Sequence, residues 1–64
     1  MIELEPGQIY VDTESLYSFT ITHLNNGVVY YTVEGITTVF PTSQIQWIFD
    51  VERGKLALGV RGKS

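Results

Sequence analysis

The sequence predicts an all-β domain folded as a small barrel or sandwich, and three observations carry that reading. Val, Ile, Thr, Tyr and Phe, the residues that suit a pleated surface, are dense, while Ala and Met occur once each. Apolar residues recur at period two. Gly and Asn interrupt them at short intervals, as turns between short strands would. The chain has 64 residues, 44% hydrophobic and 17% charged, which is too apolar and too weakly charged for a disordered segment. A single domain over residues 1–64 is expected, with 1–5 and 62–64 as flexible tails. A chain of about 60 residues buries only about 60% of its unfolded surface, so a two-domain enzyme with a deep interdomain cleft is excluded.

Strands are expected at Gln8–Asp12, Leu16–Leu24, Val28–Glu34, Thr37–Phe40, Gln46–Glu52 and Lys55–Arg61. The hairpin around Asn25-Asn26-Gly27 can be tested by register. A two-residue turn would pair Phe19 with Glu34 and Ile21 with Thr32, mixing apolar and polar side chains on each face. A three-residue loop with Gly27 in the left-handed position pairs Phe19 with Val33, Ile21 with Tyr31 and His23 with Val29 on one face. The bulged loop is therefore the expected form. Glu34-Gly35 permits the next reversal, and Pro41 is expected to stop the fourth strand. Thr42 and Ser43 can then cap a single 3-10 turn over residues 42–45. An alternative extends that helix to Phe49, with Ile45, Ile48 and Phe49 at helical spacing. The last reversal, at Arg53-Gly54, is expected to pair Val51 with Leu56, Phe49 with Leu58 and Trp47 with Val60. Phe19, Tyr31, Trp47 and Phe49 then fall on core faces.

Three segments carry a resemblance. Pro6-Gly7-Gln8-Ile9-Tyr10-Val11-Asp12, followed by Val28-Val29-Tyr30-Tyr31-Thr32-Val33-Glu34-Gly35 and Phe40-Pro41-Thr42-Ser43, resembles small phage and prophage SH3-like β-barrel proteins of unknown function. The similarity covers roughly residues 6 to 50 and consists of turn glycines and core aromatics. It implies an SH3-like barrel of five to six antiparallel strands, a phage origin and no transferable catalytic residue. The Arg53-Gly54 hairpin departs from that pattern.

Little in the chain points to catalysis. Without cysteine there is no disulfide, thiolate metal site or cysteine nucleophile. His23 is the single histidine and reads as a rim residue satisfied by a hydrogen bond. The carboxylate pairs Glu3/Glu5 and Asp12/Glu14 read as solvated loop edges. Ser15, Ser18 and Ser43 lack a base and a nucleophile elbow. The glycines are dispersed singly, so no phosphate-cradling loop is present. No enzyme activity, metal or cofactor is expected. The acidic start Met1-Ile2-Glu3-Leu4-Glu5 is unlike a secretory signal. The uncharged stretches alternate polar with apolar residues, unlike a membrane span. A cytoplasmic protein is expected, in the host cytoplasm if phage-encoded.

Partner binding is the remaining class. Tyr10, Tyr17 and Tyr30 offer rigid apolar bodies with polar tips. Together with Asp12, Glu14 and Glu34 they form the expected protein-binding surface, through which the chain would modulate or inhibit a host or phage protein. All seven acids lie within residues 1–52 and all four bases, Arg53, Lys55, Arg61 and Lys63, within 53–64. Those four are the candidate contacts for nucleic acid, a weaker alternative because they could neutralise few phosphates. They are also candidates for head-to-tail contact in a homo-oligomer or virion subunit.

Overall fold

The computed structural model describes residues 2–60. In chain order these form β1 (Ile9–Asp12), β2 (Ser18–Asn25), β3 (Val28–Val33), β4 (Phe40–Ser43), α1 (Gln44–Glu52) and β5 (Leu56–Val60). The strands make one antiparallel sheet in the order β4-β3-β2-β1-β5, curled into a half-barrel. Among the described residues no helix is long and apolar enough to cross a membrane.

The β2/β3 hairpin keeps the expected pairing near Phe19 and Ile21 but does not close by the expected three-residue loop. Phe19 pairs with Val33 and Ile21 with Tyr31, as the apolar faces require, but His23 pairs with Tyr30 rather than Val29. The reversal is the two-residue turn Asn26-Gly27, both residues at positive φ (50° and 78°), with Asn25 opposite Val28. The extra residue sits inside β2, where the register shifts between Ile21 and His23. A bulge within the strand thus corrects the facing that the short turn alone would spoil.

The fourth strand begins at Phe40 and includes Pro41, which lies opposite Tyr30. Pro41 does not end it, because an edge strand has one side that needs no N–H donor. The expected strand Gln46–Glu52 is helix instead, and the expected single 3-10 turn is replaced by the nine residues of α1. Ser43 caps it, its Oγ accepting from Gln46 N–H at 3.3 Å. At the far end Gly54, at φ 83°, turns the chain out of the helix. The hairpin pairing of Trp47, Phe49 and Val51 with β5 therefore does not form. β5 pairs with β1, placing Leu56 opposite Asp12 and Leu58 opposite Tyr10.

The core is Leu4, Tyr10, Ile21, Val29, Trp47 and Leu56. Trp47 lies at its centre: its ring is 5.5 Å from Tyr10, 5.2 Å from Tyr31 and 6.3 Å from Phe19, each in a T-shaped arrangement. Phe49 departs from expectation. On α1 it faces away from this cluster and is 50% exposed, while Trp47 is buried and Ile48 and Val51 pack inward. Residues 2–5 are not a free tail, since Leu4 is buried and Ile2 packs against the core. Gln8, itself buried, fixes them: its Oε1 accepts from Glu5 N–H at 3.0 Å and its Nε2 donates to the Glu3 carbonyl at 3.2 Å.

Candidate functional site

Strand direction gathers three connections at one end of the half-barrel. β1 finishes at Asp12 where β2 starts, β3 finishes at Val33 where β4 starts, and β5 starts opposite Asp12. Residues 13–17, 34–39 and 53–55 are therefore neighbours, while the Asn26-Gly27 turn lies at the opposite end. Hydrogen bonds join them. Thr13 N–H donates to the Lys55 carbonyl at 2.9 Å, and Thr13 Oγ1 donates to the Gly54 carbonyl at 2.9 Å. Ser18 N–H donates to Glu34 Oε1 at 2.7 Å, and Glu34 N–H to the Ser18 carbonyl at 2.9 Å.

This loop end exposes four large apolar side chains. Leu16 is 69% exposed and Tyr17 56% exposed, and Ile36 and Val39 are exposed in the neighbouring connection. Leu16 has φ 68°, a left-handed conformation that an L-residue with a bulky side chain adopts at a cost of about 1–2 kcal/mol. It closes the loop from Asp12: Leu16 N–H donates to the Asp12 carbonyl at 2.7 Å, and Asp12 N–H to the Tyr17 carbonyl at 2.9 Å.

Carboxylates surround the apolar residues. Asp12 Oδ1 accepts from Glu14 N–H at 2.8 Å and Ser15 N–H at 3.0 Å. Those amides, that of Ser15 foremost, hold the Asp12 carboxyl below its ordinary pKa, with Lys55 assisting through its charge. A cleft of about 100 Å³ opens beside Asp12 among Phe19, Tyr31, Trp47, Asp50 and Lys55. The indole Nε1 of Trp47, a residue that lines this cleft, is buried without a hydrogen-bond partner among the described residues. Arg53 reaches Asp50 Oδ1 at 3.4 Å and lies over the Phe49 ring at 4.9 Å.

Of the expected partner-binding residues, the fold brings Asp12, Glu14, Tyr17 and Glu34 together at this end. Tyr10 is 1% exposed, its hydroxyl donating to Gln8 Oε1 at 3.2 Å and its pKa raised by burial, so it is a core residue rather than a surface contact. Tyr30 lies away from the loop end, half-buried and stacked on His23 at 4.3 Å. Of the four bases, Arg53 and Lys55 join the loop end, while Arg61 and Lys63 lie outside the described residues. Leu16, Ile36 and Val39 are additions: sequence reasoning placed Leu16 and Val39 in strands and Ile36 in the reversal after Glu34-Gly35. Only the lone apolar Leu16 after the polar run Asp12-Thr13-Glu14-Ser15 hinted at a loop-tip residue. No known protein family, no curated protein and no solved structure matches the chain.

Proposed function

We propose that this chain is a non-catalytic SH3-like interaction module, phage-encoded and acting in the host cytoplasm, whose loop end binds a host or phage protein and modulates or inhibits it. The strand order, with the helical segment between β4 and β5, supports the SH3-like reading. One observation carries the binding surface: Leu16 keeps a strained backbone while its side chain is mostly in water. Folding alone would favour Gly or Asn there. The apolar group is explained if a partner covers it together with Tyr17, Ile36 and Val39. Asp12, Glu14, Glu34, Asp50 and Glu52 outnumber Arg53 and Lys55 around this surface, which selects a partner with a basic rim around an apolar pocket.

The test is comparative capture from a bacterial lysate on immobilised protein, with bound species identified by mass spectrometry. A protein retained by the wild type and by Asn25→Thr, at the opposite end, should be lost with Leu16→Gly/Tyr17→Ser. The paired variant must melt no more than a few degrees below the wild type. Identical capture by all three proteins removes the loop end as the binding surface.

A further inference from the structure

The helix α1 is apolar on two sides. Its inner stripe is the buried Trp47, with Ile48 and Val51 packed against the core. On the opposite side Ile45 and Phe49, one helical turn apart and so neighbours on one face, are both exposed, and Ile45 is the most exposed large apolar side chain among the described residues. Gln46, Glu52 and Arg53 complete that exposed face. A surface helix ordinarily turns a polar face to water, whereas one with apolar residues all round is covered on every side. The strands β3, β4 and β5 cover only the inner side of α1.

The charges on α1 point to what covers the outer side. The helix has no acid in its first turn and no base in its last, so Asp50 and Glu52 stand near the negative end of its dipole. Asp50 is compensated within the chain, accepting from Gln46 Nε2 at 3.0 Å and pairing with Arg53 at 3.4 Å. Glu52 is exposed and has no ion pair among the described residues. A second α1 laid antiparallel, with Phe49 against Phe49, brings Ile45 against the aliphatic stem of Arg53 and Gln46 opposite Glu52. Each Glu52 then lies beside the positive end of the other helix, and the two dipoles oppose. A parallel copy would align the dipoles and set Glu52 against Glu52 and Arg53 against Arg53. The face is therefore complementary to itself in one orientation, as a two-fold interface requires.

We infer that the outer face of α1 is a self-association surface, through which two copies of this chain pair antiparallel about a two-fold axis at Phe49. Two apolar side chains from each copy make an interface below the roughly 1,200 Å² of a stable complex, so the dimer forms at high protein concentration. The inference goes beyond the loop-end reading and does not depend on it, since it uses neither Leu16, Tyr17, Ile36 nor Val39.

Sedimentation equilibrium of the full chain, from micromolar to millimolar concentration, tests it. The expected result is a reversible monomer–dimer equilibrium, with amide shift changes on raising the concentration centred on Ile45, Phe49 and Glu52. Ile45→Glu should weaken association at least about tenfold. Gln46→Lys sets a cation opposite Glu52 of the second copy, and should strengthen association about threefold while making it sensitive to salt. Adding Glu52→Lys to that variant should reverse the gain. These side chains are exposed, and a melting temperature within a few degrees of wild type at low concentration shows that each variant folds. Several outcomes overturn the proposal: a monomer at every concentration, association that Gln46→Lys leaves unchanged or weakens, or shift changes centred on Leu16 and Ile36 or on β5. A monomer that retains a lysate protein, lost with Ile45→Glu, would give the face to a different chain and equally overturn self-association. Loss of lysate capture by the loop-end variant bears only on the loop-end reading.

Discussion

Leu16 and Asp12 occupy the same loop, and their opposed energetics give two tests at the scale of the residue. Leu16 holds φ 68° with most of its side chain in water, so little burial offsets the strain. Replacing it with Gly relieves about 1–2 kcal/mol of backbone strain and returns roughly 0.5–1 kcal/mol as extra freedom in the unfolded chain. The net expectation is a stability gain of about 0.5–1 kcal/mol in urea denaturation. A loss would mean that the Leu16 side chain contributes to folding after all. Asp12 behaves in the opposite way. Its carboxylate is favoured in the folded state, chiefly by the Ser15 and Glu14 amides. Its folded pKa is therefore depressed, so its contribution is present above the unfolded pKa and lost as pH falls through the folded one. Asp12→Asn should flatten the acid side of the stability profile, below about pH 4, relative to wild type. Parallel profiles would contradict that assignment, and direct carboxyl titration by NMR gives the midpoint independently.

At the scale of the element, α1 shows what the residue pattern leaves open. Trp47, Phe49 and Val51 alternate as a strand would, while Trp47, Ile48 and Val51 have helical spacing, so the segment satisfies both periods. The deciding signals are local. Ser43 with Gln46 three residues on has the spacing of a capping box, and Gly54 supplies a left-handed stop. Extending the single turn to a helix was a reading the sequence allowed, but its buried stripe is Trp47, Ile48 and Val51 rather than Ile45 and Phe49. Ile45, 80% exposed, shows the difference most plainly. The β2/β3 pairing was legible because a one-residue slip would exchange the apolar and polar faces. The docking of residues 2–5 was not legible, because it depends on one polar side chain, Gln8, reaching back across Pro6 and Gly7. Gln8→Ala leaves the Glu5 amide without its partner and takes the acceptor from the buried Tyr10 hydroxyl. The expected loss is about 2–4 kcal/mol, large beside the roughly 3–10 kcal/mol that a chain of this length commonly has. Amide exchange should show residues 2–5 opening first. Unchanged protection there would assign the docking to Leu4 alone.

For the whole molecule, the charge map changes when the chain folds. In sequence, seven acids precede four bases without overlap. The antiparallel β1/β5 pairing and the turn after α1 bring two of those bases back among the acids, with Arg53 at 3.4 Å from Asp50 and Lys55 acting on Asp12. The order of acids and bases along the chain does not show this, because the expected Arg53-Gly54 hairpin pairs the last strand with residues 47–51 rather than with β1. The fold thus weakens the case for nucleic acid more than the count of bases does. Arg53 and Lys55 would have to leave carboxylates to meet phosphates, which leaves Arg61 and Lys63 as the remaining bases. Each phosphate neutralised on duplex DNA contributes about −0.9 to the slope of log affinity against log salt. Any binding to duplex DNA should therefore be weak, with a slope no steeper than about −2, and Arg53→Gln/Lys55→Gln should leave that slope unchanged. A slope near −4 that falls to half in this variant would show that all four bases face phosphate, and the loop end would then be a nucleic-acid surface.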